Sequence, residues 1–160
     1  MNILVDVHTH TIASGHAYST ITENMQAASR KHLKMIAMTD HTPGMPGSTH
    51  PFHFDNLKAI PDEMFGVRLL RGAETNIINY EGDVVLAEQT LRGLDLVLAS
   101  LHPPCIEFAD EETVTSGLEK VMENKEIYTS KENNEVALPI TQNDNNERRY
   151  LFTLQAYFSK

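Results

Sequence analysis

Asn2-Ile3-Leu4-Val5-Asp6-Val7-His8-Thr9-His10 decides how this chain is read. A short, β-branched and almost continuously apolar run is the pattern of a strand covered on both faces. At its carboxyl end it delivers two imidazoles one residue apart. Alternate residues leaving a strand point the same way, so His8 and His10 can grip one ion. The arrangement recurs three times: Lys34 to Thr39 runs into Asp40-His41, Val67 to Ala73 into Glu74, and Leu94 to Leu101 into His102. His16 lies in the loop after the first run.

Between these runs the sequence reads as helices and turns. Thr20 and Glu23 have capping-box spacing, and Met25, Ala27 and Ala28 give an apolar face to a helix ending near His32. Thr42 to Asp55 is rich in turn formers and long for a connection, which marks it as a functional loop. A short helix is expected around Asn56 to Ile60, and a hairpin over Asn76 to Val85 turning at Tyr80-Glu81-Gly82-Asp83. Asp110-Glu111-Glu112 opens a helix with Val114, Leu118 and Val121 on one face. Strand-helix repeated about four times predicts an α/β fold with a parallel sheet, open or part of a barrel. In either case ligands gather at the carboxyl ends of the strands.

From about Glu126 the pattern changes. Asn133, Asn134, Asn143, Asn145 and Asn146 crowd a polar stretch, and the chain ends in an alternating segment, Tyr150 to Phe158. The expected organisation is a ligand-bearing unit over 1–125 and a divergent polar tail over 126–160, the product of a frameshift, truncation or replacement.

A chain of 160 residues is large enough for one domain with a real core. Its net charge of -9 argues against a phosphate-backbone binder, which carries a basic stripe. A small anionic substrate remains compatible, because bound divalent ions reverse the local field. With Cys105 as its one cysteine the chain forms no internal disulfide, and with neither a leader-like start nor an apolar run of roughly 18 residues the expected location is the cytoplasm.

Neutral imidazoles and carboxylates suit zinc, manganese and iron(II). Glu74, arriving from a different strand, can bridge two ions with its two oxygens. A His-x-His pair alone is weak, and Asp40 suits a backbone cap as well as a site carboxylate. It is the placement of all these groups at matching strand ends that favours a metal site. His50 and His53 are expected as lid or surface residues, and His32 as a cation near a helix C-terminus. Cys105 reads as a packed small hydrophobe.

Val5-Asp6-Val7-His8-Thr9-His10, Ala17-Tyr18-Ser19-Thr20, Met38-Thr39-Asp40-His41, Gly72-Ala73-Glu74 and Ser100-Leu101-His102-Pro103 closely resemble the PHP (polymerase and histidinol phosphatase) family, in its branch of small stand-alone bacterial phosphatases. The resemblance covers roughly 1–125. It implies the N-terminal part of a distorted (β/α)7 TIM-like barrel with up to three divalent ions, zinc or a mixture with manganese or iron. By that likeness His8, His10 and Glu74 hold the first ion, Glu74 and His102 the second, and His16 and His41 the third. Asp40 lies behind them, and Glu74 and Asp40 are the candidate catalytic carboxylates. Three further family ligands come from Gly-His-Pro-like and Asp-x-His-like motifs in the second half of the barrel. Neither motif occurs here, and no histidine follows His102.

The expected activity is hydrolysis of small phosphomonoesters by a metal-bound hydroxide. The alternative is a catalytically inactive metal-binding fragment or regulatory subunit of a larger PHP assembly. A nuclease role fits the acidic charge least. A half barrel also leaves sheet edge and core face to be covered, which predicts a homo-oligomer or a partner chain.

Overall fold

The computed structural model describes residues 4–123, so the expected tail, 126–160, lies outside the described residues. The chain runs β1 (Val5–Asp6), α1 (Ile21–Arg30), β2 (Met35–Met38), α2 (Phe52–Asn56) with a 3-10 turn at Leu57–Ala59, β3 (Glu63–Met64), β4 (Val67–Asn76), α3 (Glu88–Gly93), β5 (Leu96–Ser100) and α4 (Glu111–Glu123). β1, β2, β4 and β5 pair side by side in chain order, all parallel. β3 adds antiparallel to the first residues of β4, with Glu63 opposite Arg68. The result is the expected set of strand-then-helix units, a curled parallel sheet forming half a barrel.

Local chemistry explains the boundaries. Thr20 accepts from the Glu23 amide while the Glu23 carboxylate accepts from the Thr20 amide at 2.7 Å, so the capping box expected for α1 is present. Met25 and Ala28 are the buried face of that helix. α2 begins four residues before its expected start, at Phe52, because Phe54 enters the core with Leu57. The expected hairpin reduces to a single bridge, Ile77 to Val84, its turn held by the Asn79 side-chain oxygen, which accepts from the Glu81 and Asp83 amides. β3 and α3 have no counterpart in the sequence reading, since both are short and α3 has no side-chain cap.

The two faces of the sheet divide the work. Ile36 and Met38 of β2 and Val67 and Leu69 of β4 pack under α1 with Met25 and Ala28. Ala73 packs with Phe54, Leu57 and Leu91, and Ala99 of β5 with Val121 of α4. Because side chains alternate along a strand, the opposite face receives Thr39 and His41, then Leu70, Gly72, Glu74 and Asn76, then Leu98, Ser100 and His102. Register makes these neighbours: Glu74 lies opposite Leu98 and Asn76 opposite Ser100. Gly72 is required by crowding on that face, where a Cβ would sit 2.8 Å from Thr39 Cγ2 and 2.9 Å from the Leu96 carbonyl oxygen.

Candidate metal centre

Glu74 is the middle of the site. It does not follow its strand, as the sequence reading had it, but stands inside β4, which runs on through Thr75 and Asn76. It is fully buried at 0% exposure. An ionised carboxylate so placed needs partners on every side. Ser100 donates to Oε1 at 2.7 Å, and His102 Nε2 lies 3.5 Å from the same oxygen. Around Oε2 stand His41 Nδ1 at 3.0 Å, His8 Nε2 at 3.2 Å and His10 Nε2 at 3.3 Å. Burial alone would raise the Glu74 pKa, but the contacts from His102, His41, His8 and Ser100 outweigh it and hold the group far below the usual carboxylate range.

The imidazoles also crowd one another. His8 and His10 face each other Nε2 to Nε2 at 3.1 Å. The ring of His41 lies 4.5 Å from that of His10, 4.9 Å from that of His16 and 4.9 Å from that of His102. Burial first, then the neighbouring His41, lower the pKa of His10 to about 4, against the opposite pull of Glu74. His10 is therefore neutral near pH 7, the form that ligates a metal.

Three overlapping groups have donor atoms within 4.8 Å of one another: His8, His10 and Glu74; His41, Glu74 and His102; and His10, His16 and His41. All six sequence-picked ligand candidates are thus brought together, and His41 belongs to two groups. His41 Nδ1 and Glu74 Oε2, although 3.0 Å apart, lack hydrogen-bond alignment, and both are buried without a hydrogen-bond partner among the described residues. Such orphans are costly in a closed interior. Divalent ions among these nitrogens and oxygens would satisfy both, so the residues present fit a metal centre.

Asp40 belongs to none of the three groups. Its carboxylate accepts from the Thr11 amide, the Thr11 hydroxyl and the Ser14 hydroxyl, each at 2.7 Å, and lies 3.4 Å from His53 Nε2. Burial pushes its pKa up, but His53, Thr11 and Ser14 together bring it down to about 2. Ser14 also accepts from the His41 amide at 2.9 Å. Asp40 thus fastens the loop carrying His16 to the end of β2.

The other histidines separate. His53, expected as lid or surface, reaches Asp40, whereas His50 Nδ1 accepts from the Phe52 amide at the start of α2. His32 is exposed, in the left-handed region just past α1. Cys105 is half-buried, and burial raises its thiol pKa, as suits an inert packed residue. Sequence reasoning missed Thr11, Ser14, Thr42, Asn76 and Ser100, polar residues that hold the ligands from behind. The one signal for Asn76 and Ser100 was their register on the ligand face.

The PHP domain profile matches residues 6–150, most of the chain. The chain belongs to the PHP domain family. This PHP chain is 52% identical over 111 residues to a probable phosphatase of Thermoanaerobacter sp. (strain X514), a match covering 69% of this chain and 45% of the relative. It is 49% identical over 124 residues to a probable phosphatase of Acetivibrio thermocellus, covering 78% and 52% respectively. A probable phosphatase of Photobacterium profundum matches at 46% over 127 residues, covering 79% and 52%. The PHP chain therefore spans about half the length of the curated relatives it matches. No helix among its described residues is long and apolar enough to cross a membrane.

Proposed function

We propose that this chain carries most of the metal centre of a phosphoesterase acting on small phosphomonoesters. The observation that carries the reading is the convergence of three imidazole nitrogens within 3.3 Å on one buried oxygen, Glu74 Oε2. Divalent ions bound there, zinc, manganese or iron, would offset phosphate charge and lower the pKa of a coordinated water to supply the nucleophile. His8, His10 and Glu74 would hold one ion, His41, Glu74 and His102 a second, and His10, His16 and His41 a third.

The chain's own residues do the preparatory work. Glu74 supplies the negative charge that draws cations into an interior otherwise lined by imidazole rings. His10 is kept unprotonated by its burial, and Asp40 fixes the loop that brings His16 over the site. The low exposure of Glu74, His102 and His41 keeps bulk water from that side of the site, which strengthens every charge interaction within it.

A second reading has support of its own. Since the chain spans about half the length of its relatives, it also suits a metal-binding fragment or a regulatory subunit without turnover. A second copy or another chain pairing with the outer strands β1 and β5 would then complete the barrel. Hydrolysis of p-nitrophenyl phosphate by the purified chain with manganese or zinc decides between them. The phosphatase reading predicts metal-dependent turnover lost in Glu74→Gln and His8→Ala. Turnover unchanged in the double variant would sink it, and metal binding without turnover would favour the second reading.

A further inference from the structure

We propose that Asn76 and Ser14 are positioning residues that fix His102 and His10 in the tautomer with the proton on Nδ1, so that each presents a bare Nε2 toward Glu74. The inference rests on reading the cluster as a metal centre, but it concerns this chain's own hydrogen bonds.

Asn76 is the clearer case. It is fully buried at the end of β4, and its side-chain orientation is settled by its surroundings. Its Nδ2 donates to the Pro43 carbonyl at 2.7 Å and to the Thr42 carbonyl at 3.1 Å. Carbonyl oxygens only accept, so the nitrogen must stand on that side and Oδ1 on the other. Oδ1 lies 2.8 Å from His102 Nδ1. An amide oxygen has no proton to give, so the proton of that bond is on His102 Nδ1. In the neutral ring His102 Nε2, 3.5 Å from Glu74 Oε1, is then the lone-pair nitrogen.

Ser14 reaches the same result through a different element. Its one hydroxyl proton is committed to Asp40 Oδ1 at 2.7 Å, a carboxylate that already accepts from Thr11. Its oxygen accepts from the His41 amide at 2.9 Å, which leaves one lone pair. That lone pair faces His10 Nδ1 at 3.4 Å, and with no proton left to offer Ser14 can only accept there. His10 therefore carries its proton on Nδ1, and its Nε2 points bare at His8 Nε2 and Glu74 Oε2. A bare His10 Nε2 and a carboxylate oxygen 3.3 Å apart repel one another in the absence of a cation, which is the state a metal relieves.

The test is nitrogen-15 NMR of the imidazoles in the full metal-stripped chain, with zinc affinity measured by titration calorimetry. In the wild type, His102 and His10 are expected to show a protonated Nδ1 and an unprotonated Nε2. Asn76→Leu removes the acceptor and is expected to shift His102 toward the Nε2 proton and to weaken zinc roughly 10- to 100-fold. Asn76→Asp keeps an oxygen facing His102 and is expected to restore the Nδ1 proton. A wild-type His102 protonated on Nε2 overturns the proposal, and this spectrum needs no variant to fold. An unchanged tautomer and unchanged zinc affinity in Asn76→Leu overturns it as well. A wild-type chain that takes up no zinc would overturn the metal-centre reading instead, with the spectrum still reporting the tautomer.

Discussion

The amide of Gly15 donates to the carbonyl oxygen of Gly47 at 2.8 Å, which locks the loop after β1 against the loop after β2. A Cβ at position 15 would meet Gly47 Cα at 3.0 Å, and Gly47 itself has φ +77, a conformation that side chains adopt reluctantly. The contact sits one residue before His16. Gly47→Ala is expected to lower stability by about 1–2 kcal/mol through backbone strain and crowding. It should also weaken zinc binding most at the group of His10, His16 and His41, since His16 rides on this loop. Urea unfolding with and without zinc checks both effects, and a variant unchanged in each would show that the loops are not coupled.

Asp40→Asn keeps the shape of the side chain but turns one accepting oxygen into a donor. The Thr11 hydroxyl and His53 Nε2 both face Oδ2, while Thr11 and Ser14 face Oδ1. With its nitrogen at the Oδ1 position the amide meets the Thr11 N–H donor against donor, and with its nitrogen at the Oδ2 position the Thr11 hydroxyl loses its acceptor and must turn. The expected cost is about 1–3 kcal/mol in urea unfolding, together with weaker binding at the His16 side, since Ser14 also supports the His41 amide. Stability within experimental error of the wild type would mean that Asp40 does not hold this loop.

Acid should destabilise the metal-free chain through His10. Its folded pKa of about 4 lies below the ordinary value of 6.5, so between these pH values the unfolded chain binds a proton that the folded chain refuses. Stability therefore falls as pH drops through that window, by up to roughly 3 kcal/mol. Glu74 acts in the same direction: its folded pKa is depressed, so the stability it adds is present above its ordinary value and lost as pH falls below it. Urea midpoints of the metal-stripped chain at pH 7.5 and pH 5 measure the slope, and His10→Asn is expected to flatten it. A wild-type midpoint independent of pH across that range would contradict the assignment.

The sheet and six ligand candidates were legible because parallel strands write their ligands at matching ends of apolar runs. His8, His10, His41 and His102 follow this rule, and the helix-facing alternation of Val67, Leu69 and Ala73 agrees with it. The rule fails at Glu74, Thr75 and Asn76, where polar residues look like the start of a loop. They remain strand because β5 pairs with them throughout and Thr42 bonds Asn76 from the other side. The supporting residues were illegible for a related reason. A serine such as Ser14 looks like any loop serine until the fold sets Asp40, His41 and His10 around its oxygen. β3 and α3 were missed because each is too short to show a period.

Metal content per folded chain, by elemental analysis of protein purified without added metal or a histidine tag, tests the central claim most directly. Three overlapping ligand groups around Glu74 predict two or three tightly held divalent ions per chain, falling to one or none in Glu74→Gln. One ion or fewer in the wild-type chain would contradict the account, because the convergence on Glu74 would then assemble no cluster.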